Sequence, residues 1–143
     1  MSGAMQLTRF TEYSLRVLIY LAPDDKQLAT ISEIATAYGI SRQHLVKVVH
    51  NLARLGYVHT MRGKGGGIRL AKPLETVNVG ELVRKTEVNL QPVDCEGTFC
   101  PIREGCRLMG IFDEARDAFL AVLDRYTLAF LVENKSELAR LFR

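Results

Sequence analysis

Cysteine is scarce in this sequence, and none of it is available for a hydrophobic core. The chain of 143 residues contains three cysteines, all of them between Asp94 and Cys106. An odd number of cysteines without a secretion signal argues against a disulfide framework and is typical of a reducing compartment. Clustered thiols in such a compartment are more often metal ligands or redox groups. We therefore expect a cytoplasmic protein whose cysteines serve as metal ligands or redox groups.

Long hydrophobic runs are also missing. The most apolar run near the start, from Leu15 to Ala22, is interrupted by Arg16 and is far shorter than the ~20 apolar residues that cross a bilayer. The sequence thus predicts no membrane-spanning segment and no membrane partner. The first four residues, MSGA, precede a second methionine, Met5. We interpret them as an expression remnant ahead of the native start.

Acidic residues are absent from one long stretch. Between Ser41 and Lys72 there are seven basic residues and no acidic one. Residues 1–72 carry a formal charge of +6 and residues 73–143 a charge of −3. Such a basic segment is the footprint of a surface that binds a polyanion, although a solvated basic face is the simpler alternative. We favour nucleic acid as the partner.

Two helices joined by a short turn are predicted within this basic half. Apolar residues recur at helical spacing in residues 11–22, 31–38 and 41–55, and Gly39 separates the second helix from the third. The second and third helices form a helix-turn-helix. The third exposes side chains that can reach phosphates and base edges. The expected DNA contacts on it are Ser41, Arg42, Gln43, His44 and Lys47.

A β-hairpin follows directly, in GYVHTMRGKGGGIRLA. β-Branched and aromatic residues flank a glycine cluster, which predicts strands over residues 57–61 and 68–71. A hairpin in this position is a wing, in which Arg62 and Lys64 would contact phosphate or the minor groove. A flexible loop with two solvated charges is the alternative. RGKGGG does not match a nucleotide-binding loop.

The C-terminal half contains a short helix, predicted over residues 77–87, and a longer amphipathic one. Apolar residues form a stripe from Leu108 to Leu123, and such a stripe must be buried against something. It could pack on the first helix of the same chain or on its copy in a second chain. We favour a homodimer, because a dimeric helix-turn-helix protein reads two half-sites related by its own axis.

The predicted fold class is therefore mainly α with a small β-hairpin wing. Three parts are expected along the chain. They are a winged helix-turn-helix domain (residues 5–75), a short helix with the cysteine loop (76–106), and a dimerisation helix with a C-terminal tail (107–143).

The three cysteines, Cys95, Cys100 and Cys106, lie among polar residues and glycines, which argues against core packing. Structural zinc requires four ligands, usually with a closely spaced cysteine pair, whereas the spacing here is C-x4-C-x5-C. Iron–sulfur clusters are wide and are held by thiolates at several corners. Three cysteines leave one corner of a four-iron, four-sulfur (4Fe-4S) cluster for another ligand. A cluster with a non-thiolate corner suits the sensing of small molecules.

Four segments together resemble a known family. LTRFTEYSLRVLIYLA, TISEIATAYGISRQHLVKVV, RGKGGGIRLAKP and DCEGTFCPIREGC are similar to those of bacterial winged-helix iron–sulfur repressors, most of all to the members that sense nitric oxide. The resemblance covers nearly the whole chain from Met5. It implies a dimeric transcriptional repressor whose cluster is bound by the three cysteines. It further implies that reaction of the cluster with nitric oxide releases operator DNA.

The same resemblance implies a fourth cluster ligand, a carboxylate near the N terminus supplied by the other subunit. The matching position is Glu12, where the family pattern often has aspartate. Arg16 lies four residues further on, so a local ion pair is available. We hypothesise a switch in which Glu12 either ligates the partner's cluster or pairs with Arg16. Family members that regulate cluster biogenesis have a histidine shortly after the third cysteine, whereas Arg107, Leu108 and Met109 follow here.

Three other functions stay open on the sequence alone. One is an iron or cluster-status regulator of the same family. A DNA-binding zinc or thiol-redox switch would need no cluster, and a small iron–sulfur electron carrier would explain the cysteines but not the basic half. The sequence does not suggest an enzyme, because its cysteines and histidines lie in different segments and no Ser/His/Asp order is suggested.

Overall fold

The computed structural model describes residues 5–24, 27–97 and 99–142. The first four residues, interpreted above as an expression remnant, lie outside the described residues. Within these residues seven α-helices and two strands follow one another. They are α1 (Arg9–Leu21), α2 (Ile31–Tyr38), α3 (Arg42–Arg54), β1 (Val58–Met61), β2 (Gly67–Leu70), α4 (Val79–Thr86), α5 (Leu108–Leu123), α6 (Leu128–Leu131) and α7 (Lys135–Leu141). The predicted class, mainly α with a small hairpin, is confirmed.

The helix-turn-helix is fixed by local signals at both ends of α2. The Thr30 side chain caps the helix by accepting a hydrogen bond from the Glu33 amide at 3.0 Å, which satisfies one of the free N–H groups of the first turn. Gly39 ends it with φ 67° and ψ 36°, a left-handed conformation that glycine adopts without steric cost. The chain therefore turns sharply into α3.

A single core lies beneath α1, α2, α3 and the wing. Each helix contributes residues at the helical spacing that the sequence predicted, and the interior face of the hairpin closes the core from one side. The largest fully buried side chains are Tyr57, Leu18, Ile34, Leu45, Leu52, Leu82 and Leu128.

The wing is a two-stranded antiparallel hairpin in which Val58 pairs with Leu70 and Met61 with Gly67. The second strand begins and ends one residue earlier than predicted. A side chain at Gly66 would overlap the Met61 carbonyl oxygen, so the tip needs a glycine there. The strand also meets the segment before α2, because Ala29 and Ile68 exchange backbone hydrogen bonds of 2.9 and 2.7 Å. The wing is thereby held beside the helix-turn-helix.

The helix α5 is anchored at its C-terminal end to α4 and to the N-cap residue of α4. Arg84 of α4 makes two hydrogen bonds of 2.5 and 2.9 Å to the Asp124 carboxylate, and Asn78 donates to the Asp124 carbonyl at 2.7 Å. Of the residues of α5, only Leu120 is buried. The apolar stripe is therefore exposed in the single chain, including Leu108, Ile111, Phe119 and Val122.

The C-terminal tail packs back onto the core. Leu128 and Val132 are buried in the core, and the Phe142 ring lies 4.9 Å from that of Tyr20 on α1. The helices of this tail, α6 and α7, have only four and seven residues, too few for a helical repeat to show which side is buried.

Candidate nucleic-acid interface and cysteine loop

The predicted DNA-contacting residues are all exposed to solvent. Ser41, Arg42, Gln43, His44 and Lys47 are all exposed on α3 and its N-cap, and Arg62 and Lys64 are exposed at the tip of the wing. Leu45, Val48, Val49 and Leu52 of α3 are buried, whereas Val46 is exposed. The start of α3 and the wing line one groove, through Arg42 on one element and Met61 and Gly63 on the other.

A groove of about 270 Å³ separates the wing from the start of α2. Ser32 and Arg42 line it on one side, and Met61 and Gly66 on the other. The Arg42 Nε donates to the Ser32 hydroxyl oxygen at 3.1 Å, which holds this guanidinium over the groove. A guanidinium next to the start of a helix suits a phosphate oxygen.

The cysteine loop between α4 and α5 has hydrogen bonds between residues that are close in sequence. Asp94 accepts from the Gly97 amide at 2.6 Å, and the Leu108 amide donates to Cys106 Sγ at 3.4 Å. All three cysteines are free thiols and partly exposed. They are not part of the core, as the sequence predicted.

The thiols suit three corners of an iron–sulfur cluster in their chemistry. Over the described residues, however, no three His, Cys, Asp or Glu side chains are close enough to form a metal-binding group. Because the hydrogen bonds described for the loop are internal to it or reach only the start of α5, the thiols can be drawn together without disturbing the core. The loop could supply three thiolates to such a cluster, which would leave one corner for another ligand.

Glu12 lies in the first turn of α1, where it is half exposed and paired with Arg16. The Arg16 Nη2 donates to Glu12 Oε1. Both side chains line an open cleft of about 570 Å³, whose other lining residues are Gln6, Leu7, Arg9 and Leu15. The ion pair that the spacing of Glu12 and Arg16 allows is thus formed. Its carboxylate faces solvent and is accessible to a second molecule.

Two aromatic residues missed in the sequence surround this ion pair. The Arg16 guanidinium carbon lies 5.7 Å from the ring centroids of both Tyr13 and Tyr38. The Tyr38 hydroxyl donates to the Arg16 carbonyl at 2.8 Å. Burial raises the pKa of Tyr38 to about 12, although the nearby Arg16 charge acts against this rise, so the hydroxyl keeps its proton at neutral pH. The i, i+3 spacing of Tyr13 and Arg16 was the available signal.

A carboxylate outside the predicted set joins the start of α1 to the end of α4. Glu87 Oε2 accepts hydrogen bonds from the Thr8 amide at 3.0 Å, from the Thr8 hydroxyl at 2.7 Å and from the Thr11 hydroxyl. The Thr11 hydroxyl also lies 2.8 Å from that of Thr86. The residue after Glu87, Val88, is 99% exposed, so Glu87 lies where the chain leaves α4 and runs to the cysteine loop. It therefore fixes the root of this loop against the helix that carries Glu12.

Comparison with known proteins agrees with this architecture. Residues 7–134 match the family model Rrf2, described as an iron-dependent transcriptional regulator. The HTH-type transcriptional regulator NsrR of Bacillus subtilis strain 168 is 48% identical, over 97% of this chain and 98% of that protein. NsrR of Halalkalibacterium halodurans is 47% identical over the same shares of the two chains.

Solved structures show the same fold. CymR, the global cysteine regulator of B. subtilis, matches 92% of this chain with a TM-score of 0.72 and 25% identity, over 98% of its own chain. IscR of T. potens matches 96% of this chain, and 93% of its own, with a TM-score of 0.72 at 22% identity. No helix of the described residues is long and apolar enough to cross a membrane. The chain belongs to the Rrf2 family of transcriptional regulators.

Proposed function

We propose that this protein is a homodimeric repressor that binds double-stranded operator DNA and releases it in response to nitric oxide. The observation that carries the proposal is the pairing of two separate features in one Rrf2 chain. One is the basic winged face on α3 and the hairpin, and the other is a loop with three free thiols outside the core. The NsrR relatives, which align over nearly the full chain, support the nitric oxide branch of the family.

In this proposal Cys95, Cys100 and Cys106 hold an iron–sulfur cluster of the 4Fe-4S type. Such a cluster supplies iron atoms that bind nitric oxide. The partner subunit provides the fourth ligand through Glu12, whose carboxylate otherwise pairs with Arg16. The exposed stripe on α5 forms the dimer interface. The protein acts in the cytoplasm, where its DNA is.

In this proposal each of the three parts expected from the sequence has its own role. Residues 5–75 bind DNA, residues 76–106 hold the cluster, and residues 107–143 contain the dimerisation helix and the tail. Because the tail packs on the winged domain, the third part is joined to the first at both ends of α6. A change in the dimer interface therefore acts directly on the DNA-binding domain.

The main experiment uses protein purified without oxygen and a DNA duplex selected by that protein from a random pool. Iron, sulfide and zinc are measured per chain, together with the dimer mass, the visible spectrum and DNA binding. We expect iron and sulfide, a spectrum that bleaches with nitric oxide, and concurrent loss of DNA binding.

Other outcomes of this experiment select other functions. DNA binding that follows cluster occupancy but ignores nitric oxide would indicate a regulator of cluster status. Zinc, or no metal after reconstitution, would indicate a zinc or thiol-redox switch. A cluster without DNA binding would contradict the repressor and favour an electron carrier.

Replacing Arg62 with alanine is expected to weaken DNA binding about threefold to tenfold, because one exposed cation at the wing tip is lost. The slope of log affinity against log salt should fall by about one, as for the loss of one phosphate contact. The selected duplex is titrated at several salt concentrations. Arg140→Ala removes an equally exposed charge from α7 and should change neither quantity. Equal DNA affinities for wild type and Arg62→Ala would show that the wing is not part of the DNA interface.

Replacing Glu12 with alanine is expected to change both the visible spectrum of the loaded dimer and its rate of reaction with nitric oxide. Glu12→Asp keeps a carboxylate and should restore both. In the metal-free protein Glu12→Ala should lower the free energy of unfolding by less than about 1 kcal/mol, because the pair with Arg16 is half exposed. An unchanged spectrum and reaction rate would show that Glu12 is not a ligand.

A further inference from the structure

The Glu12–Arg16 pair is embedded between aromatic rings that reach the helix-turn-helix. The Arg16 guanidinium carbon lies 5.7 Å from the ring centroids of Tyr13 and Tyr38, within the ~6 Å over which a cation is attracted to an aromatic face. The charge of Arg16 is thus shared between one carboxylate and two rings. If the carboxylate is withdrawn, only the rings and solvent remain as partners, so the preferred position of the guanidinium changes.

Each ring leads to a different helix of the DNA-binding motif. Tyr38 is the last residue of α2 and directly precedes the left-handed turn at Gly39. The Tyr13 ring centroid lies 6.2 Å from that of the His44 imidazole, with the planes tilted by 39°, in the range of favourable aromatic pairs. His44 lies in the exposed first turn of α3, the part of a recognition helix that meets base edges.

We propose that Tyr13 and Tyr38 are positioning residues that transmit the state of the Glu12–Arg16 pair to the recognition helix. Tyr13 acts on the reading face through His44, and Tyr38 acts on the turn through its ring and its hydrogen bond to the Arg16 carbonyl. The inference rests on the proposed function and adds the path by which the ligand site reaches the DNA. It requires no contact beyond those of a single chain.

The competing explanation is ordinary packing, since both tyrosines are partly buried against the core. Packing predicts that removal of a ring changes stability and leaves the effect of Glu12 on DNA affinity intact. Transmission predicts that removal of the Tyr13 ring abolishes this effect. The two explanations are therefore separated by the coupling between two substitutions rather than by either one alone.

The test is a double-mutant cycle in the metal-free protein with the selected duplex at fixed salt. We expect Glu12→Gln to change DNA affinity by about threefold or more, and this change to vanish in the Tyr13→Leu background. Tyr13→Phe keeps the ring and should restore the effect of Glu12→Gln on DNA affinity. Tyr126→Leu is the matched control, because Arg125 also lies over the Tyr126 ring, at 5.8 Å, in the C-terminal part of the chain. Additive effects of Glu12→Gln and Tyr13→Leu would overturn the proposal.

A second measurement does not depend on the folding of Tyr13→Leu. The imidazole proton resonances of His44 are compared between the metal-free wild type and Glu12→Gln, with His59 on the wing strand as the internal reference. We expect the His44 resonances to move and those of His59 to stay. Unmoved His44 resonances would also overturn the proposal. A wild-type protein that binds the duplex but fails these tests contradicts only the transmission path, whereas one that binds no duplex contradicts the proposed function.

Discussion

Replacing Cys100 with alanine is expected to remove bound iron and sulfide almost completely while leaving the fold intact. In the proposed site the loss of Cys100 leaves two thiolates and one carboxylate, which we expect to be too few thiolates to hold the cluster against solvent. DNA affinity should then equal that of the metal-free wild type and no longer respond to nitric oxide. Iron, sulfide, the visible spectrum and DNA titrations with and without nitric oxide measure these effects.

The same variant should be almost as stable as the metal-free wild type. Cys100 is partly exposed on a loop outside the core, and surface substitutions of this kind usually change the free energy of unfolding by less than about 0.5 kcal/mol. Glu104→Gln, also exposed in this loop, is the matched control and should retain the cluster. If Cys100→Ala instead destabilises the metal-free chain strongly, the thiol is structural. If the variant retains iron and sulfide, the assigned ligand set is wrong.

Local sequence signals determine most of the fold. The helix over residues 31–38 has the predicted bounds because a threonine cap and a left-handed glycine define its ends chemically. The exposed stripe of α5 was also readable, because an apolar face at helical spacing is visible without knowledge of what covers it. Both predictions depend only on residues close in sequence.

Long-range contacts were not predictable in the same way. The bond between Thr11 and Glu87 spans 76 residues, and neither residue belongs to a recognisable pattern. Tyr13 was seen only as a residue of an amphipathic helix, and its contact with His44 depends on how α1 crosses α3. The ligand role of the cysteines stays a prediction, because their spacing shows that they can converge but not what they bind.

The structure nevertheless connects the predicted parts. Glu87 holds the root of the cysteine loop to the N-terminal turn of α1, and Arg16 in the next turn of that helix touches the rings next to the helix-turn-helix. The first helix is therefore the element through which the loop, the Glu12 carboxylate and the recognition helix can affect one another. A helix that makes both sets of contacts is well suited to couple them when its N-terminal anchor is intact.

Replacing Glu87 with glutamine is accordingly expected to destabilise the metal-free protein by about 2 kcal/mol at pH 7, the range for loss of hydrogen bonds to a charged group. The Thr8 and Thr11 hydroxyls and the Thr8 amide donate to one carboxylate oxygen, and an amide is a weaker acceptor that also presents an N–H group. Thr11→Val removes one of these donors from a fully buried position with little change in shape. It should cost a similar amount, and the two effects should not add.

The pH dependence of the stability difference between wild type and Glu87→Gln identifies the carboxylate as the source of that difference. Burial raises the pKa of Glu87, but the hydrogen bonds from Thr11 and Thr8 outweigh this and hold the pKa below its usual value. A folded-state pKa below the unfolded one stabilises the native state above the unfolded pKa, and this stabilisation is lost as the pH falls through the folded pKa. The gap between wild type and Glu87→Gln should therefore stay constant from pH 7 to about pH 5 and narrow below pH 4.3, the usual glutamate pKa. Denaturant unfolding at one protein concentration measures this difference in unfolding free energy. Glu75→Gln, exposed on the surface, should have the same unfolding free energy as the wild type. A gap that is independent of pH would mean that Glu87 stabilises the fold through packing rather than through its charge.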